Sequence, residues 1–197
     1  MAIQSPSLDR AGPAVRATPA SASRGYWKSV RRRLRRDPVT LACAGILMGR
    51  PWHEDHDWNT RFHRMMDVNV RVPLEIAHAA TEHLAAHGGG HIVLVGSVAG
   101  KTGGTSLTTP PDYSASKGAV HALVKWMSRN AVGRDVMVNA VAPGFIVTGM
   151  TMGSNSPDKI AERSKKMPLG RFVEPVEISY AVAWLASAET AMITGQV

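Results

Sequence analysis

Three short apolar runs recur along this 197-residue chain at intervals too long for hairpins: VTLACAGI from Val39 to Ile46, HIVLVGS from His91 to Ser97, and DVMVNAVAP from Asp135 to Pro143. Each is bounded by glycine, proline or a polar stretch, the pattern of a strand buried on both faces. The stretches between them are helix-length. Trp58 to Ala86 carries Phe62, Met65, Met66, Val70, Leu74, Ala77 and Leu84 at helical spacing and is stopped by Gly88, Gly89 and Gly90. Tyr113 to Ala131 is free of proline and soon followed by Gly133, and a last helix is expected over about Pro175 to Ala188. A parallel crossover needs a dozen or more residues, so strands alternating with helices imply βαβ units and an α/β fold, an open parallel sheet flanked by helices. Ligands on such sheets bind beyond the carboxyl ends of the strands, next to Ile46, Val95 and Val141.

The formal net charge of +8 would ordinarily suggest an anionic partner. Its position says otherwise. Nine basic side chains (Arg10, Arg16, Arg24, Lys28, Arg31, Arg32, Arg33, Arg35 and Arg36) and one acid, Asp9, fall within residues 1–36, and the remainder is neutral. Residues 1–36 are rich in Ala, Ser, Pro and Arg and lack a period of 2 or 3.6. They are expected to form a basic, disordered tail ahead of a domain spanning 37–197. The run RRRLRRDP, Arg31 to Pro38, is read as solvated in preference to a nucleic-acid patch or an Arg-rich transit peptide. Cys43, the single cysteine, cannot close an internal disulfide, and no run nears the roughly 18 apolar residues of a membrane helix. A cytoplasmic setting without a membrane segment is expected.

Chemistry is concentrated after the second apolar run. Ser97 follows a buried strand, and Tyr113 and Lys117 lie four residues apart at the start of a helix, which brings both side chains to one face. A phenol normally loses its proton near pH ~10, and a neighbouring ammonium favours the phenolate. With a hydroxyl to orient a carbonyl oxygen, such a group suits carbonyl reduction or alcohol oxidation. A bare Tyr-x3-Lys pair also occurs on helix surfaces. The ordered series carries more weight: AGI after one strand, DVNV on the next helix, GS after the next strand, YSASK opening a helix, then VNAVAPGFIVT.

From about Asp37 to Val197 the chain resembles the short-chain dehydrogenases/reductases, NAD(P)-dependent oxidoreductases on a Rossmann-type sheet. The resemblance implies a catalytic set of Asn69, Ser97, Tyr113 as general acid/base and Lys117, the lysine also holding the nicotinamide ribose. It implies cofactor contacts at Ala44, Gly45, Tyr113, Lys117, Pro143, Gly144, Ile146 and Thr148, with NAD or NADP as cofactor. PLGR at Pro168 to Arg171 and ITGQV at Ile193 to Val197 are further landmarks. The implied substrate is a small alcohol or carbonyl compound. The implied assembly is a homo-oligomer packed through the helices at Trp58 to Ala86 and Tyr113 to Ala131; Val120, Leu123, Val124 and Met127 could serve that contact or face the sheet. Thr148 to Met167 would be a substrate lid lined by Met150, Met152 and Met167.

The series departs from the family at its start. No glycine-rich pyrophosphate turn precedes Val39, and the usual Asn-Asn-Ala-Gly reads Ala42-Cys43-Ala44-Gly45. Cys43 is read as a small core residue. The expected fold is therefore a partial Rossmann-like sheet lacking the first strands and the last strand. A truncated or mis-started member with low cofactor affinity is expected, its N-terminal segment a genuine tail or a start-site artefact. The alternative is a non-catalytic relative whose basic tail binds an anionic partner. No metal centre is expected: His53 and His56 flank two acids, and His83 and His87 are spaced i, i+4, but no third ligand is placed. His78, His83, His87, His91 and His121 are expected at solvent-facing helix or strand ends.

Overall fold

A computed structural model of the chain describes residues 39–42, 45–47, 57–104, 109–153 and 156–197. Strand β1 (Val39–Ala42) is followed in chain order by helix α1 (Trp58–Met66), a π-helical turn (Asp67–Arg71) and α2 (Val72–Ala86). Strand β2 (Gly90–Val95) is followed by the single turn α3 (Ala99–Thr102) and the long helix α4 (Pro111–Ala131). Strand β3 (Val136–Val141) is followed by the single turn α5 (Gly149–Met152), then α6 (Pro157–Lys165) and α7 (Pro175–Leu185).

Among the described residues the sheet is parallel with order β1-β2-β3, Val39 opposite His91 and Val95 opposite Val141. It is the expected Rossmann-like α/β layer, covered by helices on both sides. Successive side chains of a strand point to opposite faces. Ile92 and Leu94 of β2, with Val136, Val138 and Ala140 of β3, therefore pack under Ala77, Ala80 and Leu84 of α2 and Val120, Val124 and Met127 of α4. Val93 and Val141 belong to the other face, beneath Leu185 of α7 and Ala186. Burying such a side chain is worth about 1.5–3 kcal/mol. This two-sided burial explains why the strands read as unbroken apolar runs. It also settles the role of Val120, Val124 and Met127, which face the sheet.

The landmarks VNAVAP and ITGQV meet in space. Buried Asn139 donates from Nδ2 to the Ile193 carbonyl at 2.8 Å, and its Oδ1 accepts the Gln196 N–H at 3.0 Å. The Gly195 amide donates to the Val138 carbonyl at 2.7 Å, so residues 193–196 are pinned along β3.

Four expectations are corrected. The helix expected over Trp58 to Ala86 is interrupted by the π turn Asp67–Arg71, whose wider turn carries the buried Asn69. Helix α4 starts two residues before Tyr113, since Pro111 fits a first helical position where no N–H is needed. No helical turn is expected at Thr148, the start of the expected lid, yet the short turn α5 opens there with a Thr148–Thr151 capping box. His91 and His121 are not solvent-facing: His91 is buried within the central strand, and His121 is half-buried against the turn after β2. His78, His83 and His87 are exposed as expected. Cys43, Ala44 and residues 1–36 lie outside the described residues.

Candidate active site

The parallel register brings the carboxyl ends of all three strands to one edge. Beyond the ladder, the Gly96 amide still donates to the Val141 carbonyl at 2.8 Å and the Val98 amide to the Pro143 carbonyl at 2.9 Å. Ser97 is thereby held in an extended turn against Pro143. Gly144 lies alongside, where a side-chain carbon would come within 3.9 Å of Val98 Cγ1. The Ser97 hydroxyl accepts the Ala99 amide N–H at 3.2 Å, and the residue is buried.

Helix α4 delivers Tyr113 and Lys117 to this edge. Lys117 is only 4% exposed; its ammonium donates to the Val95 carbonyl at 3.2 Å and lies 6.0 Å from the centre of the Tyr113 ring. A buried ammonium is tolerated only with acceptors around it, and the last carbonyl of the central strand is one. Gly45, at the exit of β1, faces it: a carbon placed on Gly45 would come within 3.2 Å of Lys117 Nζ and 3.8 Å of Asn69 Oδ1.

Asn69 ties these pieces together. The π turn points its fully buried side chain at the exit of β1, where Oδ1 accepts the Ile46 N–H at 2.8 Å and Nδ2 donates to the Ile46 carbonyl at 3.0 Å. The same Nδ2 lies 3.0 Å from Ser116 Oγ, on the residue next to Lys117. One amide thus joins β1, the π turn and α4. A π turn inside an α-helix commonly marks such a site.

Of the residues singled out in the sequence, Gly45, Asn69, Tyr113 and Lys117 form one connected cluster, and Ser97, Pro143 and Gly144 form the adjoining turn. Ile146 and Thr148 are engaged elsewhere. Ile146 bridges to Val173, and its carbonyl accepts the Thr151 hydroxyl. Thr148 heads α5, its amide donating to Thr151 Oγ1 at 3.1 Å. Ala44 lies outside the described residues.

Four contributing residues were missed. Arg61 on α1 and Asp112 beside Tyr113 form a buried ion pair at 3.0 Å, their side chains 8% and 1% exposed. Ser116 was passed over, and so was His121, one turn past Lys117. Burial, then Lys101, then Lys117 hold the His121 imidazole below its ordinary value of 6.5. The signal for His121 was present in GSVAG, since two glycines flanking a strand-end turn leave room for a neighbour. An open groove lined by Gly89, His91, Asp135 and Met192 lies at the opposite, amino ends of the strands, away from this cluster.

A family model described as enoyl-(acyl carrier protein) reductase matches residues 24–197. The chain belongs to the short-chain dehydrogenase/reductase family. It is 35% identical over 145 residues to the 3-oxoacyl-[acyl-carrier-protein] reductase FabG of Thermotoga maritima, covering 73% of this chain and 55% of that protein. The chain thus spans little more than half the length of that curated relative. A 3-oxoacyl-[acyl-carrier protein] reductase from Brucella melitensis, solved with bound NAD, superposes with a TM-score of 0.70 at 29% identity, covering 80% of this chain and 58% of its own. A gluconate 5-dehydrogenase from Burkholderia cenocepacia, in complex with NADP and tartrate, gives 0.73 at 26% identity over 86% and 66% of the two chains. Among the described residues of this short-chain dehydrogenase/reductase, no helix is long and apolar enough to cross a membrane.

Proposed function

We propose that this chain carries an NAD(P)-dependent oxidoreductase site that interconverts a secondary alcohol and a ketone. The observation that carries the reading is the buried Lys117 ammonium, fixed between Val95, Gly45 and the Tyr113 ring at the carboxyl edge of the sheet. In this reading the Tyr113 hydroxyl gives a proton to the substrate oxygen during reduction and takes it back during oxidation. Lys117 keeps positive charge beside that phenol, and the Ser97 hydroxyl orients the substrate oxygen. Asn69 acts through its neighbours: by gripping Ile46 and Ser116 it keeps Gly45 and Lys117 face to face.

The residues present suit the nicotinamide end of the cofactor. Gly45 has no side chain to crowd the space beside Lys117, and Pro143 and Gly144 border the same turn. Gly45, Tyr113, Lys117, Pro143 and Gly144 would hold it there, with Ala44, Ile146 and Thr148 as the further contacts that the family resemblance implies. When bound, NAD(P) supplies or accepts the hydride. The relatives named above act on a 3-oxoacyl group and on position 5 of gluconate, which favours a carbon inside a chain over a terminal one. A homo-oligomer is part of the reading, since Val72 and Ile76 of α2 and Trp126 of α4 leave apolar surface exposed on the two helices.

The test is NADH or NADPH oxidation with a panel of ketones, including 3-oxoacyl thioesters, comparing the parent with Tyr113→Phe. The variant should keep the fold by circular dichroism and lose turnover by a factor of about 100 or more, the contribution of a positioned acid. Undiminished turnover in Tyr113→Phe would sink the assignment.

A further inference from the structure

The His121 imidazole lies one turn beyond Lys117 on the same helix and packs against the turn that carries Ser97. A carbon placed on Gly96 would come within 2.4 Å of His121 Nε2, and one on Gly100 within 2.8 Å of Cε1. Glycine at both positions lets the ring lie on the backbone of this turn. The backbone amides alternate in direction: those of Gly96 and Val98 donate to the carbonyls of Val141, at the end of β3, and of Pro143, just beyond it, whereas that of Ser97 faces His121 Nε2 at 3.4 Å. The ring therefore takes the N–H that the sheet does not. Only a neutral imidazole protonated at Nδ1 can accept it, because both ring nitrogens of the cation are donors.

We propose that His121 is a positioning residue that anchors the Ser97 turn as a neutral hydrogen-bond acceptor and releases it on protonation, making the site sensitive to acid. The charged groups acting on the ring are Lys101 of α3 and Lys117 of its own helix, both cations. Protonation would turn the acceptor into a donor opposite an N–H and add a third positive charge. The sign follows from the lowered value: between it and 6.5 the folded chain binds fewer protons at this group than the unfolded chain, so stability falls as pH falls through that window. The effect on turnover rests on the oxidoreductase reading; the hydrogen bond does not.

The test uses the ¹⁵N-labelled full chain titrated from pH 8 to 5. The Ser97 amide resonance should move with the His121 ring resonances, with a shared midpoint below 6.5. In His121→Gln, whose side-chain oxygen can accept the same N–H, that titration should vanish with Ser97 near its high-pH position; His121→Leu should displace it at every pH. A Ser97 amide that stays fixed while the ring titrates overturns the proposal. In turnover, the parent should lose roughly tenfold in kcat below the midpoint, about 1.4 kcal/mol, with substrate KM nearly constant, and His121→Gln should flatten that acid limb. An unchanged limb in His121→Gln also overturns it. If the oxidoreductase reading alone is wrong, no variant turns over NAD(P)H, yet the Ser97 titration persists.

Discussion

The segment that presents Lys117 and the segment that would close over substrate are built in opposite ways. On the first, Asn69, Asp112, Ser116 and Lys117 are all buried, and each bonds to a group on another element or its own helix. On the second, residues 144–174, α6 has no buried residue and Leu169 is 73% exposed. Among the described residues its ties include the Ile146–Val173 bridge, the stacked rings of Phe145 and buried Phe172 at 5.2 Å, and surface ion pairs such as Glu162–Lys166. Buried polar contacts are costly to break one-sidedly, whereas exposed pairs contribute little. The groups proposed to handle the proton are thus held in one geometry, while the outer segment, on the proposed lid reading, could shift to admit ligands at small cost.

The strongest attempt to break this contrast removes one partner of the buried ion pair. Arg61→Leu leaves Asp112 charged and uncompensated next to Tyr113, and should cost about 3–5 kcal/mol of folding free energy in denaturant titration. Arg61→Met combined with Asp112→Leu should recover most of that stability, because an apolar pair of similar volume can replace a buried ion pair. If the single variant is as stable as the parent, the pair does not brace the platform.

A subtler substitution tests placement without touching the core. Gly45→Ala puts a carbon 3.2 Å from Lys117 Nζ, the far end of a flexible chain that can retreat by a few tenths of an ångström. Thermal stability should change by less than about 2 °C, whereas kcat should fall by roughly tenfold, since small displacements of a positioned group are expensive in rate. Equal losses in both would mean that Gly45 is only a packing residue.

The sequence was informative wherever local pattern and burial agree. Ile92 and Leu94 alternate with Val93 across two covered faces, so a continuous apolar run correctly implied a strand buried on both sides. Tyr113 and Lys117 were legible because four residues on a helix fix their relation whatever else the chain does. The Arg61–Asp112 pair was not, since 51 residues separate the partners and neither carries a local signature. The π turn escaped for a related reason: apolar spacing does not distinguish one wide turn within a long helix, and the cause is the tertiary grip of Asn69 on Ile46 and Ser116. His121 was misread as solvent-facing because histidine is intermediate in burial and gives no local signal of which way it faces, and the glycines that accommodate it lie 25 and 21 residues earlier in the chain, at Gly96 and Gly100.

The smallest expected effect belongs to the outer segment. Arg171 donates to both Glu177 oxygens at 2.7 Å, and the Glu174 amide donates to Oε2 at 2.8 Å, closing the start of α7 just after Phe172 and Val173. The Arg171 hydrogen bonds, followed by that backbone N–H, lower the Glu177 carboxyl to about 2. An acid lowered on folding stabilises the chain above its ordinary value of 4.5 and loses that contribution as pH falls toward about 2. Glu177→Gln should therefore flatten the acid side of the stability curve between those values while leaving kcat at neutral pH within about twofold, as befits an exposed pair. The site lies at the surface, so high salt should mimic the substitution. A loss of kcat as large as that expected for Gly45→Ala would show that the outer segment is as tightly coupled to Lys117 as α4 is, and the contrast between the two regions would fail.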